Sequence, residues 1–262
     1  MHKEINLDFL SDLAQASSDV ILPLFESKDL SVDLKADSTP VTKADRDCEE
    51  KLRTMIRKRY PDHGIIGEEF GREKEEAEYV WTIDPIDGTV SFIHGVPLFT
   101  TLIGVLRQGA PTLGLISQPV LKKLCIGTDE GTTLNGKPVH VRMTSSLNAS
   151  TVVCSGLSGF SGSLPRGSTE KIREAVQTFR TWGDGWGYMM VACGMADIMI
   201  DAALHIWDAV AVIPCIHGAG GKTSSMGGGD SLKDLSLVAT NGVLHDPFLK
   251  LLTQLQTGVA KS

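Results

Sequence analysis

The stretch WTIDPIDGTVSF, residues 81–92, constrains the fold more than any other part of the chain. An apolar run leads into Asp84 and Asp87, with Pro85 between them and Gly88 and Thr89 behind. Two carboxylates at the end of a buried strand each lose most of their hydration, a loss of several kcal/mol per isolated charge unless a cation offsets it. The fold therefore has to bring compensation to this strand end. Pro85 fixes its own φ and biases Asp84 toward an extended conformation, and the next peptide carbonyl in reach, that of Ile86, can act as a further oxygen beside Asp84 and Asp87. Gly88 and Thr89 then expose backbone N–H groups and a hydroxyl, and a helix starting near Gly88 would hold a phosphate at its N-terminus. Taken alone, DPIDG also reads as a turn, because Asp, Pro and Gly are favoured there.

Glu68, in GEE at 67–69, and Asp208, in IWDAV, share this setting, since each adjoins an apolar or glycine-containing segment. Lysine and arginine are scarce around all four carboxylates, so metal ions are the simplest cations. An all-oxygen donor set favours Mg²⁺ or Mn²⁺ over zinc. By itself Asp208 would read as a helix cap, and Glu69 reads as solvated. The net charge of −7, from 25 Lys and Arg against 32 Asp and Glu, argues against a nucleic-acid backbone or an anionic membrane as the main partner.

At 262 residues the chain can form one large domain or two smaller ones that share an interface. Ile5, Phe9, Leu13, Ala16, Val20 and Leu24 predict an amphipathic helix over 4–26. A polar stretch over 35–45 follows, broken at Pro40, and Cys48, Leu52, Met55 and Ile56 mark a second helix ending near Tyr60 and Pro61. Residues 63–70 read as a short strand entering an acidic loop. From Val80 on, VWTID, LFTTLIGVLRQG, PTLGLISQP and KLCIGT predict an antiparallel meander, with a hairpin at Asn135-Gly136 after it.

Residues 142–150 form a boundary, giving an N-terminal α+β subdomain over 1–145 with most of the candidate metal ligands and a C-terminal α/β subdomain over 146–262. In the second half, TVVCSG reads as a strand, SGSLPRGS as a flexible loop and 169–179 as a helix. GYMMVACGMADIMIDA reads as helix then strand, WDAVAVIPCIHGAGG as a helix containing Pro214, and LSLVATN as a strand. Asp246 and Pro247 are expected to cap and open a last helix through Leu255. Strands and helices mixed throughout predict layered α/β packing. Five well-separated cysteines without a CxxC pair read as reduced, mostly buried thiols. With no apolar targeting segment and no run near the roughly 20 apolar residues of a membrane span, the expectation is a cytoplasmic protein.

GEE, then WTIDPIDGTVSFIHGVPLF, then IWDAVAVIPCIHGAGG, together with the early PVTKAD, resemble the inositol monophosphatase family of Mg²⁺-dependent, lithium-sensitive phosphatases over nearly the whole chain. The resemblance implies a layered α-β-α-β-α sandwich of the inositol monophosphatase and fructose bisphosphatase type, a small phosphate-ester substrate and a homodimer. It makes Glu68, Asp84, the Ile86 carbonyl, Asp87 and Asp208 the ligands of two or three Mg²⁺ ions, for which Mn²⁺ can substitute. Thr89 with Glu68 would position the attacking water, helped by Asp45 of PVTKAD. The phosphate would lie against the metals and the N–H groups of Gly88 and Thr89. A non-enzymatic member would be marked by a lost ligand or a lost Thr89, and every matched position is present.

The alcohol side of the substrate falls to TWGDGWGYMMVACGMADIMIDAALHIWD. Gly183-Asp184 followed by Trp186 and Tyr188 resembles the histidinol-phosphatase branch, with inositol-1-phosphate or another small phosphate ester as the alternative substrate. Histidinol phosphate carries an ammonium and an imidazole, which call for carboxylate acceptors, whereas inositol carries only hydroxyls. Asp184 and Asp201 are the candidate acceptors, beside Asp87, Gly88, Thr89 and Asp208 on the phosphate side. Asp184 also reads as a plain loop carboxylate in a glycine-rich turn. His217, just before GAGG, reads as a helix C-terminal residue on the dipole, His94 as a surface residue and His205 as structural.

Overall fold

The computed structural model describes residues 5–27, 32–34, 40–157 and 163–258. The first half runs α1 (Leu7–Ile21), β1 (Val32–Leu34), β2 (Pro40–Thr42), α2 (Lys43–Arg59), β3 (Gly64–Gly67), β4 (Gly71–Glu73), β5 (Tyr79–Asp87) and α3 (Thr89–Ile93). It continues through β6 (Thr100–Arg107), β7 (Ala110–Gln118), β8 (Lys123–Thr128), β9 (Gly131–Leu134) and β10 (Lys137–Pro138). The second half runs β11 (Thr151–Cys154), α4 (Ser168–Ala175), β12 (Thr178–Arg180), α5 (Asp184–Ala192), β13 (Ile198–Asp201) and α6 (Ile206–Gly218). It ends with β14 (Lys222–Ser224), α7 (Ser231–Asp234), β15 (Leu237–Thr240) and α8 (His245–Thr257).

Strands β3 to β10 form an eight-stranded sheet of order β10-β9-β8-β7-β6-β5-β3-β4, and a five-stranded sheet has the order β12-β11-β13-β15-β14. The meander from β5 onward is antiparallel, as its turn signals predict, while β3 joins β5 in parallel. Period-two alternation sorts the side chains. Trp81 and Ile83 of β5, Ile103 and Val105 of β6 and Leu113 and Leu115 of β7 face α1 and α2, meeting Phe9, Leu10, Leu13, Leu52 and Ile56. The other face meets α5 and α6, which also cover one face of the second sheet through Met199, Leu237 and Ala239. Ile172 of α4 and Phe248 and Leu252 of α8 close the far face over Val152, Ile198 and Val238. The layers are therefore α-β-α-β-α, as expected.

Three glycines seat the middle layer. Gly104, Gly114 and Gly127 are direct cross-strand partners on β6, β7 and β8. A Cβ on Gly114 would lie 1.9 Å from the Ala211 carbonyl oxygen, and one on Gly127 would lie 2.3 Å from the Cys215 Cα. The lane lets the α6 backbone lie directly on the sheet, and α6 carries Asp208 at its N-terminal end.

Several boundaries differ from the expectations. The first helix is Leu7–Ile21, shorter than 4–26, with Asn6 accepting from the Asp8 amide as its cap. Of the polar stretch over 35–45, Pro40–Thr42 pairs with Val32–Leu34 and Lys43–Asp45 opens α2, with 35–39 outside the described residues. Of the expected loop SGSLPRGS, residues 161–162 lie outside them as well. The helix expected over 169–179 ends at Ala175, because Thr178–Arg180 pairs in parallel with β11 as an edge strand. Asp246 is not a cap: the cap is Leu244, whose amide donates to Asn241 Oδ1 at 3.0 Å, and Asp246 instead pairs with Lys222 at 2.9 Å. Four cysteines are buried and Cys193 is half-buried. Although distant in sequence, Cys125, Cys193 and Cys215 share one core cluster. No helix of the described residues is long and apolar enough to cross a membrane.

Gly114→Ala is expected to destabilise the protein by about 1–3 kcal/mol, the usual scale of overpacking against backbone. Urea unfolding checks this, and an unchanged midpoint would show that α6 is not seated by the lane.

Candidate metal centre

Strand β5 is buried from Tyr79 through Ile86. In a regular strand Asp84 and Asp87, three residues apart, would point to opposite faces. They do not, because the β5–β6 register shifts between them. Pro85 has no amide to give the ladder, its carbonyl accepts from Thr101 Oγ1 at 2.8 Å, and the irregularity turns both carboxylates the same way. Asp208 joins them from the first turn of α6, so that Asp84, Asp87 and Asp208 each present an oxygen within 4.8 Å of the others. The Asp208 carboxylate also accepts from the His205 amide at 2.7 Å. The cap residue of α6 is therefore His205 and not Asp208, which stands at the third helical position and serves that cap while it joins the cluster.

Glu68 follows β3 and is held beside Asp84 by the parallel pairing, its amide donating to the Ile83 carbonyl at 3.1 Å. Behind it sits a clamp that is not visible as a motif. Glu49 of α2, fully buried, accepts from the amides of Glu69 at 2.7 Å and Phe70 at 3.1 Å, and pairs with the buried Arg53 at 2.7 Å. A Cβ on Gly67 would lie 2.0 Å from Glu49 Oε1, so glycine is needed there. Glu69, expected to be solvated, is half-buried in this turn.

Gly88 adopts φ of +87° as the cap of α3, and a Cβ on it would lie 3.0 Å from Asp184 Oδ2. The helix expected near Gly88 is this single short turn, Thr89–Ile93. Thr89 Oγ1 donates to the Ile86 carbonyl at 3.0 Å, which leaves that carbonyl a second lone pair. Asp45 does not line the cavity. It forms the capping box of α2, accepting from the Thr42 amide at 2.7 Å and the Thr42 hydroxyl at 2.6 Å.

Glu68, Asp84, Ile86, Asp87, Gly88, Thr89, Asp184 and Asp208 line one cavity of about 640 Å³, together with Pro40, Ser155, His205 and Trp207 among others. No described lining residue is a lysine or arginine. Burial raises Asp84 well above the ordinary carboxylate range, with the charges of Glu68 and Asp87 adding to it. Asp87 is raised well above that range too, first by burial and then by Asp184 and Asp208. Asp208 is pushed up to about 7 by burial, against the His205 amide bond. Asp45 is pushed up to about 6 by burial, despite its Thr42 bonds. Asp84 Oδ1 is buried with no hydrogen-bond partner. Clustered carboxylates, an orphaned oxygen and an all-oxygen donor set fit a hard divalent cation.

A smaller pocket of about 110 Å³ opens beside the cluster, lined by Ser155, Asp184, Tyr188 and Asp201 and bordered by Asp87 and Asp208. Asp184 opens α5 with φ of +52°, a left-handed conformation uncommon outside glycine. The next amide, of Gly185, donates to Asp87 Oδ2, tying α5 to the cluster. Burial and the charge of Asp201 push Asp184 up to about 6. Ser155 carried no motif signal. Its mark in the sequence is its place just past a strand end, where ligands gather in α/β sheets. His217 is remote from both cavities. It stands in the last turn of α6, as expected, lines a separate cleft with Tyr79 and Arg107, bonds Thr223 at 2.7 Å, and is held below its ordinary value by burial. His94 is exposed and bonds the Val90 carbonyl, and His205 stacks on Trp207 with ring centroids 4.7 Å apart.

A model of the inositol monophosphatase family matches residues 4–257. The chain is 37% identical over 241 residues to the histidinol-phosphatase of Chlorobaculum parvum, covering 91% of this chain and 93% of that one. It is 34% identical over 252 residues to the histidinol-phosphatase of Mycobacterium tuberculosis, covering 94% and 96%. The structure of the Thermotoga maritima IMPase superposes with a TM-score of 0.88 at 25% identity, covering 97% of this chain and 98% of that one. This chain belongs to the inositol monophosphatase family.

Carboxyls whose folded pKa is raised hold their protons more firmly folded than unfolded. Their contribution favours folding at low pH and is lost as pH rises through about 6 for Asp45 and Asp184 and about 7 for Asp208. Metal-free protein should therefore melt at a higher temperature near pH 6 than near pH 8, and Mg²⁺ should raise melting more at the higher pH. A melting temperature that falls as pH drops through this window, with no response to Mg²⁺, would count against a metal-compensated cluster.

Proposed function

We propose that this member of the inositol monophosphatase family, a metal-dependent phosphomonoesterase, hydrolyses histidinol phosphate to histidinol and phosphate. The observation that carries this choice is the pair Asp184 and Asp201 in the pocket beside the cluster, with no basic side chain lining it among the described residues. Burial raises Asp201 as well, opposed by bonds from Ser155 and Tyr188. A neutral polyol would leave these carboxylates uncompensated in a buried site, whereas an ammonium or imidazolium would compensate them. The similarity to two histidinol-phosphatases supports the same choice. Likeness to the Thermotoga maritima IMPase keeps inositol-1-phosphate as the alternative.

In this reading Glu68, Asp84, the Ile86 carbonyl, Asp87 and Asp208 would hold two or three Mg²⁺ ions. When bound, Mg²⁺ supplies the positive charge that acidifies water and stabilises the leaving oxygen. The chain's own groups orient the reactants. Thr89, fixed through its bond to the Ile86 carbonyl, keeps lone pairs free to accept from the attacking water, with Glu68 on the other side. The amides of Gly88 and Thr89 would receive phosphate oxygens, and Asp45, outside the cavity, would serve by fixing the start of α2 through its Thr42 bonds.

The test is phosphate release with Mg²⁺ from histidinol phosphate and from inositol-1-phosphate in parallel. The expected result is a kcat/KM roughly tenfold or more in favour of histidinol phosphate, the scale set by one charge-assisted contact, with both activities lost in Asp84→Asn. A preference for inositol-1-phosphate would keep the metal centre and overturn the substrate. Replacing Mg²⁺ by Ca²⁺ should suppress turnover, because its larger and looser coordination misplaces the water. Full turnover with Ca²⁺ would contradict the proposed arrangement.

A further inference from the structure

We infer that Tyr188 and Ser155 are the positioning residues that make the small pocket selective for a cationic alcohol, by holding Asp201 and Asp184 as acceptors facing it. This inference rests on the substrate reading above and deepens it. Tyr188 lies on α5 and is 2% exposed, and its phenol donates to Asp201 Oδ2 at 2.9 Å. The Ser155 amide approaches the other oxygen, Asp201 Oδ1, at 3.4 Å. On the opposite side, Ser155 Oγ accepts from the Asp184 amide at 2.8 Å. One serine thus ties the backbone of Asp184 at the start of α5 to the Asp201 carboxylate of β13, and one buried phenol fixes the direction of that carboxylate.

The hydrogen-bond inventory gives these contacts their consequence. A phenol has a single proton, and Tyr188 commits it to Asp201, so the ring presents no donor to the pocket. An ionised carboxylate offers about four lone-pair sites. Tyr188 and the Ser155 amide engage Asp201 from the protein side, and the sites left over face a cavity without lysine, arginine or histidine among its described lining residues. Donors have to come from the ligand. A group with several N–H donors and a positive charge meets that demand; a hydroxyl meets one lone pair and no charge.

Without the phenol, Asp201 would be free to rotate and a buried oxygen would lose its partner. The loss should fall on recognition of the cationic end and spare phosphate and metal binding.

The measurement is the KM and kcat of wild type, Tyr188→Phe and Ser155→Ala on histidinol phosphate and on inositol-1-phosphate, with thermal unfolding of each. Tyr188→Phe should raise KM for histidinol phosphate roughly tenfold, the scale of a lost hydrogen bond to a charged group. It should change kcat for that ester, and kcat/KM for inositol-1-phosphate, by less than about threefold. Ser155→Ala should shift the same ratio in the same direction, and it carries the test should Tyr188→Phe fail to fold. Equal losses on both esters would mean a merely structural role and overturn the inference, as would no change on either. If wild type itself prefers inositol-1-phosphate, the substrate reading falls first, and the inference with it. If wild type prefers histidinol phosphate and neither variant moves the ratio, the inference alone falls.

Discussion

Mutual repulsion among carboxylates that have been taken out of water is the constraint around which this protein is organised. Glu68 from the turn after β3, Asp84 and Asp87 from β5 and Asp208 from α6 come into one cavity, and no described lining residue is a lysine or arginine. What the chain supplies instead is weaker: backbone amides at helix starts. The His205 amide serves Asp208, the Gly185 amide serves Asp87, and the Thr42 amide serves Asp45. Such partial charges, each roughly half an elementary charge at a helix N-terminus, do not balance several full negative charges. The deficit remaining is the site's chemical property, since it can be met by divalent cations and, in the smaller pocket, by a cationic ligand.

The layers serve this placement. The parallel pairing of β3 with β5 brings Glu68 beside Asp84, and the parallel pairing of β11 with β13 brings Ser155 beside Asp201. In both sheets the cavity-lining residues Glu68, Asp87, Ser155 and Asp201 sit at or just past the carboxyl ends of strands. The middle layer connects the two sheets. Lying on the glycine lane, α6 delivers Asp208 to the first sheet's cluster, and α5 delivers Asp184 and Tyr188 to the pocket while its Gly185 amide touches Asp87. The carboxylates of the cluster and those of the smaller pocket thereby line adjoining cavities that share Asp87, Asp184 and Asp208. The left-handed Asp184 marks where the backbone is strained to do so.

Much of this is legible in the sequence, and the part that is not has a common cause. The strand ending in DPIDGT, the antiparallel meander, the GEE turn and the WD helix start are local patterns, written in periodicity and turn chemistry over a few residues. Ser155, the Tyr188–Asp201 bond, the Glu49–Arg53 clamp and the glycine lane depend on which strands pair and in what register. Contacts such as Glu49 with the Glu69 amide span 20 residues, and Gly185 with Asp87 spans 98, beyond any local pattern. The smaller misses are of the same kind. Thr178–Arg180 becomes a strand because β11 offers an edge, and Leu244 becomes a cap because Asn241 reaches its amide, so tertiary partners override local propensity.

Diffraction at the manganese absorption edge from crystals of the metal-free protein soaked in Mn²⁺ would test the central claim most directly. Metal-compensated carboxylates require anomalous peaks between Glu68, Asp84, Asp87 and Asp208, with Asp84 Oδ1 and the Ile86 carbonyl among the contacts. Full-occupancy peaks elsewhere with none at this cluster, or carboxyl groups there that pair with one another as protonated acids in the presence of the metal, would contradict it.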